Sequence, residues 1–274
     1  IELQNQDIDW DLNQDKIGHA IGHNLNAPWN FFNPKLGLSW DLTDSLSWFA
    51  SIGKAQKEPA DNQIITPDDM FSQPIMAASE VITNLELGMN FSFSNGFAKV
   101  NGYRILYLNE QLKNINLQQE GEYSYYSADS TMHTGFEYET LLHLNNKTVL
   151  GVNGAIQMNV FTNGNFLPNT PSSLFNLTLQ RELNKKLMIF SHLRRIGGMY
   201  IENANEEEGY INAYSVLDVA AHLSLNRINL SLQINNVFNK LYSTYGYSYE
   251  YNGYNAFYWP GATRNLFVRI SYEI

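Results

Sequence analysis

The sequence predicts an all-β chain, an antiparallel transmembrane β-barrel wall of about twelve strands. Three observations predict it: long runs of strict two-residue alternation, strands longer than those of soluble proteins, and connections that alternate between long and short. Leu217, Val219, Ala221, Leu223 and Leu225 fall on one face of an extended chain, with Asp218, Ala220, His222 and Ser224 on the other. Ile228, Leu230, Leu232 and Ile234 alternate in the same way with Asn229, Ser231, Gln233 and Asn235. In the last run, Leu266, Val268, Ile270, Tyr272 and Ile274 oppose Asn265, Phe267, Arg269, Ser271 and Glu273. Such alternation marks a strand with one face in an apolar medium. An amide-rich face opposite an aliphatic one fits lipid outside and water or a plug inside.

Composition supports the same class. Charged residues make up 16% of the 274 positions and aromatics 14%, with 17 Tyr and 15 Phe. A soluble domain averages about 25% charged residues, and the Tyr, Phe, Asn, Ser and Gly found instead suit strands, interfacial girdles and turns. No run approaches the roughly 18 uninterrupted apolar residues of a membrane-spanning helix. A net charge of −10 argues against nucleic acid as a partner, since phosphate recognition depends on clustered Lys and Arg. The absence of cysteine removes disulfides and thiolate metal sites. Ile1 opens directly in strand-like sequence without a basic or apolar leader, as expected of a mature, trimmed or partial chain.

Taken in order, Glu2 to Leu12 reads as a strand, Asn13 to Asn30 as a long loop, and Phe32 to Leu42 as the second strand. A tight turn around Asp44 leads into Leu46 to Gln56. Lys57 to Ser79, with Pro59, Pro67 and Pro74, is loop, because proline cannot donate to a central ladder. Glu80 to Phe93 and Phe97 to Leu112 pair through Ser94-Asn95-Gly96, a hairpin signal. Lys113 to about Asp129 is loop again. Ser130 to Leu144 pairs with Thr148 to Phe161, and Leu174 to Leu183 with Leu187 to Glu202, around the loop Thr162 to Ser172. Asn203 to Gly209 then leads to Tyr210 to Leu225, which pairs with Ile228 to Phe238 through Asn226-Arg227. A tyrosine-rich segment precedes the last strand. Outer-membrane barrels show this alternation because their periplasmic turns are short and their extracellular loops long. On that rule the last strand runs inward and the chain ends on the periplasmic side.

Several stretches, in order, are similar to the C-terminal half of the barrel of TonB-dependent outer-membrane receptors. They are Phe31-Phe32-Asn33-Pro34-Lys35-Leu36-Gly37-Leu38-Ser39-Trp40, Phe49-Ala50-Ser51-Ile52-Gly53 leading to Lys57-Glu58-Pro59, Asn84-Leu85-Glu86-Leu87-Gly88, and Gly135-Phe136-Glu137-Tyr138-Glu139. The most specific is Asn235-Asn236-Val237-Phe238-Asn239-Lys240-Leu241-Tyr242 followed by Pro260-Gly261-Ala262-Thr263-Arg264-Asn265. The resemblance implies that residues 1–274 are the C-terminal part of a barrel of about 22 strands, with the plug domain outside this chain. It implies a transporter that imports a scarce nutrient complex, first among them a ferric siderophore, with haem, cobalamin and oligosaccharide as alternatives. No cofactor is implied. The implied partners are outer-membrane lipid and lipopolysaccharide, the N-terminal barrel half and plug, the TonB complex and a metal-chelate ligand. One departure from the family is the final Ile274, where an aromatic residue is common, although Tyr272 lies two positions earlier.

Candidate ligand contacts lie in the long loops. Tyr245, Tyr247, Tyr249 and Tyr251 offer rings that can stack on a flat chelate. The same alternation reads equally as a hairpin with Asn252-Gly253 at its tip. Tyr123, Tyr125 and Tyr126 form a second aromatic group. His19 and His23, four apart, have a spacing that ligates metal on a helix, but their loop has no helical pattern. Glu206 to Glu208 reads as a solvated acidic run. The sequence offers no assignable nucleophile and base, so an outer-membrane phospholipase and a passive porin stand as weaker alternatives.

Overall fold

The alternating runs pair neighbour with neighbour into one antiparallel wall. The computed structural model describes residues 1–13, 24–64, 77–114, 124–250 and 252–272. Its first seven strands are β1 (Glu2–Asn13), β2 (Asn24–Thr43), β3 (Leu46–Lys57), β4 (Glu80–Phe93), β5 (Gly96–Asn114), β6 (Ser124–Asn145) and β7 (Thr148–Phe161). There follow β8 (Ser173–Asn184), β9 (Leu187–Ile196), the short β10 (Met199–Tyr200) and β11 (Tyr210–Ile211), β12 (Tyr214–Leu225) and β13 (Ile228–Asn235). A hairpin of β14 (Ser243–Glu250) and β15 (Tyr254–Pro260) precedes β16 (Asn265–Tyr272). Twelve of them form a single sheet in chain order, β1 to β9, then β12, β13 and β16.

Register fixes the two faces, since directly paired residues share a side. One row runs Leu38, Ala50, Leu87, Gly102, Phe136 and Ile156 across β2 to β7. Another runs Ala221, Leu232 and Val268 across β12, β13 and β16. This face is apolar and open, with Leu87 60% and Ile270 70% exposed. The opposite face carries Glu86, Lys99, Glu137, Glu139, Arg194 and Asp218, and Lys99 and Glu139 form an exposed ion pair at 3.6 Å. Two strand glycines make room for rings on this polar face. Phe49 lies over Gly88 and Tyr103 over Gly135, where a Cβ would overlap the ring. The space at Gly135 is therefore filled by Tyr103. Gly37 remains open, with no neighbour nearer than 4.0 Å to a built Cβ.

The strands β4 and β7 have the bounds expected from sequence. Elsewhere the bounds differ: β9, β12 and β13 stop short of the expected Glu202, Tyr210 and Phe238, while β1, β2, β3, β5, β6 and β8 outrun the expectation. The strand β2 starts at Asn24, inside the stretch read as loop, and β5 and β6 continue their pairing out to Asn114 and Ser124. Pro28 and Pro34 do not interrupt β2, because it pairs with β3 only from Lys35 onward and has β1 alone beside it before that. At one end, two-residue turns such as Asp44-Ser45 and Asn226-Arg227 join the strands, and register shifts precede the turns after β6 and β8. All the long connections lie at the other end. One of them contains a short helix α1 (Asp61–Ile64), whose Asp61 accepts a hydrogen bond from Trp10 Nε1 on β1 at 3.0 Å. Ile64 is buried there, as are Ala27 and Phe31 on β2.

Leu87 sits near the middle of the apolar band. Leu87→Lys is expected to cost about 2–4 kcal/mol when the complete barrel is unfolded from lipid, whereas Glu86→Gln on the polar face changes stability by less than about 1 kcal/mol. Denaturant titration in bilayers checks both.

Candidate functional site

Three long connections fold into one body: residues 162–172, 197–213 and 236–264. Short side chains and asparagines dominate them, so cross-loop hydrogen bonds supply much of their cohesion. Asn205 accepts from Phe166 N at 2.6 Å and donates back to the Phe166 carbonyl at 3.0 Å. Asn169 donates to the Gly246 carbonyl and accepts from Gly246 N, each at 3.1 Å. Beneath these bonds Met199, Ile201 and Ile211 form a small core against which Ala256 packs. Gly246 rests on Ile201 so closely that a Cβ would overlap it.

The β14–β15 hairpin has two unlike faces. Gly246, Ala256 and Tyr258 turn toward the other loops, and the Tyr258 hydroxyl donates to the Glu208 carbonyl. On the opposite face Tyr245, Tyr247 and Tyr249 meet Phe257 and Trp259 in a ladder with ring centroids 5.0–5.3 Å apart. Phe257 and Trp259 are 39% and 49% exposed. At the tip three residues separate the paired Glu250 and Tyr254, and Asn252 and Gly253 adopt left-handed backbone at φ 54° and 117°. Both readings of the tyrosine series therefore coexist: it is a hairpin, and its alternation gathers the rings on one side.

Between the loops lies a cavity of about 660 Å³, within the roughly 300–1,000 Å³ of small-molecule sites. Phe166, Tyr200 and Tyr210 line it as a chain of rings, with centroids 6.1 and 4.9 Å apart, beside Asn205, Glu207 and Asn212. A joint at the base ties this body to the wall. Asp218 accepts from Arg194 Nη2 and from Asn236 N, both at 2.8 Å. The Asn236 amide then donates to the carbonyls of Lys240 and Ala262 at 2.9 and 3.0 Å, closing both ends of the loop.

Of the residues singled out from sequence, Tyr245, Tyr247 and Tyr249 come together. His19, His23, Tyr123 and Tyr251 lie outside the described residues. Tyr125 and Tyr126 lie in β6, paired with Lys113 and Leu112, and only their backbone is described. Their stretch is strand rather than the loop expected. Glu206, Glu207 and Glu208 are exposed around a 3-10 turn. His133 bonds within the wall, with Nδ1 3.1 Å from Asn159 Oδ1 and Nε2 3.3 Å from Glu110. Among the described residues no group of three or more His, Asp or Glu gathers as a metal site. Sequence reasoning missed Phe166, Tyr200, Tyr210, Phe257 and Trp259. Phe257 and Trp259 share the parity that pairs with Tyr247 and Tyr245, a signal available once the hairpin tip is placed.

A twelve-stranded wall with one apolar face and a long-loop end built around aromatic rings defines part of an outer-membrane β-barrel. The family model described as TonB dependent receptor-like, beta-barrel matches residues 6–237, and the chain belongs to this family. It is a family of receptors, not enzymes. Similar solved structures include the ferric yersiniabactin uptake receptor FyuA from Yersinia pestis, at 19% identity and TM-score 0.75, covering 91% of this chain and 38% of that one. The ferric-catecholate import receptor Fiu from K12 E. coli is 18% identical with TM-score 0.70, covering 98% and 40%. The ferric enterobactin receptor PfeA from Pseudomonas aeruginosa, a mutant in complex with enterobactin, is 16% identical with TM-score 0.70, covering 91% and 42%. The chain thus spans about two fifths of the length of these receptors. No curated protein matches it.

Removing one partner of the reciprocal amide bond leaves Gly246 N and O unpaired, so Asn169→Ala is expected to loosen the hairpin by about 1–3 kcal/mol, seen as faster hydrogen exchange over β14 and β15. Burial, and next the Glu208 carboxylate, hold the Tyr258 pKa above the ordinary tyrosine value. A raised pKa means that the docked state keeps its proton more tightly. That contribution is complete below the usual value of about 10 and is lost as pH rises through the folded value. A nitroxide on a cysteine at exposed Thr244 should therefore gain mobility above about pH 10, less steeply in Tyr258→Phe.

Proposed function

We propose that this chain supplies the C-terminal strands of the barrel of a TonB-dependent transporter that imports a ferric siderophore. The observation that carries the reading is the three-loop body, which presents a five-ring aromatic face and a ring-lined cavity at the long-loop end of a wall of this family. In this reading the long loops are extracellular, the two-residue turns and the chain's end are periplasmic, and the apolar face meets outer-membrane lipid and lipopolysaccharide. The remaining strands and the plug come from sequence outside residues 1–274. The share of each similar receptor that the chain covers supports this division.

On this reading no covalent bond is made or broken. The loops capture the ferric complex, and energy from the inner membrane, delivered through TonB to the plug, opens the path. Tyr245, Tyr247 and Tyr249 would contact the ligand with Phe257 and Trp259. His19, His23, Tyr123 and Tyr251, with Tyr125 and Tyr126 at the start of β6, are the further contacts we propose. The named ligands of the similar receptors, ferric yersiniabactin, ferric catecholate and enterobactin, belong to those proteins and support an iron-chelate class here.

Titration of the complete receptor with ferric siderophores, followed by fluorescence quenching, tests the reading. Binding is expected, and Tyr247→Ala combined with Trp259→Ala should weaken it about tenfold, from roughly 0.5–1.5 kcal/mol per stacked ring. Binding of haem, cobalamin or an oligosaccharide to the exclusion of every ferric siderophore would refute it.

A further inference from the structure

We infer that the cavity between residues 162–172 and 197–213 selects a ferric complex that is uncharged or positively charged, and disfavours the trianionic tricatecholate class. The inference rests on the uptake reading above and narrows it.

The first ground is the chemistry of the cavity. Its rings, Phe166, Tyr200 and Tyr210, offer π faces that attract a cation or an uncharged planar group. Asn205 and Asn212 add amides, and Glu207 is the one ionised side chain among the described lining residues. Among these described lining residues a bound trianion would meet a carboxylate and no guanidinium or ammonium, although anionic chelates are ordinarily held by charge-assisted bonds from Arg or Lys.

Charge around the cavity points the same way. Residues 162–172 carry no charged side chain, and 197–213 carry Glu202, Glu206, Glu207 and Glu208 without one Lys or Arg. In 236–264, Glu250 lies near the hairpin tip, whereas Lys240 and Arg264 sit at the base. There the Lys240 carbonyl and the Arg264 amide are tied to Asn236 and Asn239. Two of the Glu202 contacts are to backbone, at Ala204 N and Glu206 N, so its charge is fixed in place beside the turn that holds Glu207. In sequence, the other long connections add Asp15, Glu58, Asp61, Asp68, Asp69, Glu120 and Glu122 against Lys16. The turns at the opposite end carry Lys147, Lys185, Lys186 and Arg227 against Asp44. A field of one sign over a concave mouth raises the local concentration of oppositely charged ligand and repels ligand of like charge, within a screening length of about 8–10 Å.

The test uses the complete receptor and two probes: a ferric trihydroxamate bearing a free ammonium group, and a ferric tricatecholate. The trihydroxamate is expected to bind at least about tenfold tighter, and its affinity to fall as salt rises while that of the tricatecholate climbs. Glu207→Lys, at an exposed position of a short turn, should narrow the preference by about tenfold, and Glu207→Gln by less. Tighter binding of the tricatecholate, or a tricatecholate affinity that drops with salt, overturns the charge selection while leaving iron uptake standing. Failure of these two and of every other ferric siderophore to bind overturns the uptake reading and this inference with it.

Discussion

The structure depends on one constraint: inside a hydrocarbon layer, a backbone N–H or C=O has no water to turn to. Each strand between β1 and β16 of the wall satisfies it by pairing on both sides with its chain neighbours. Once that pairing is set, its register decides which residues meet lipid, because a slip of one position would exchange the Leu38–Leu87–Ile156 side for the Glu86–Glu137 side. Aliphatic rows and polar rows thus follow from the same set of hydrogen bonds. Length follows too, since a tilted span needs about 9–11 residues.

Beyond the band the constraint relaxes, and side-chain amides take over from the ladder. The change falls at Asn236, where β13 ends, the backbone turns left-handed, and the amide gathers Lys240 and Ala262. Asp218 belongs to the wall yet holds Asn236 N, and its second oxygen takes Arg194. A charge on the polar face is therefore in direct contact with the loop that carries the aromatic ladder. Removing Asp218 would leave a partly buried guanidinium and an amide without their acceptor, which costs more than the ion pair itself contributes.

How much of this could be read in the residues differs between wall and cap. Strand alternation is a two-residue signal, so β4 and β7 could be bounded correctly and the order of the sheet followed from the alternating loops. The start of β2 at Asn24 was hidden by Pro28, whose local preference for turns yields once β1 lies alongside. The continuation of β5 and β6 past Leu112 and Ser130 was hidden because polar residues on both faces erase the alternation above the band. In the cap, the tyrosines of 245–249 were legible because they are regularly spaced within one strand. The Phe166, Tyr200 and Tyr210 group was not, because two separate connections contribute to it and nothing local announces their meeting.

The left-handed residues other than glycine are, among those described, all asparagine: Asn109, Asn169, Asn205, Asn226, Asn236, Asn239 and Asn252. Asparagine tolerates this conformation better than other side chains with a Cβ. At Asn109, Asn169, Asn205, Asn236 and Asn239 the same residue also reaches backbone well outside its own turn. Glycine would keep the bend and lose the bond, and aspartate would keep an acceptor but bring a charge and no donor. The cap can thus exchange its rings and carboxylates freely while these positions resist change, so a lineage diverging toward a new ligand would be expected to rewrite the surface of these loops and inherit their hinges.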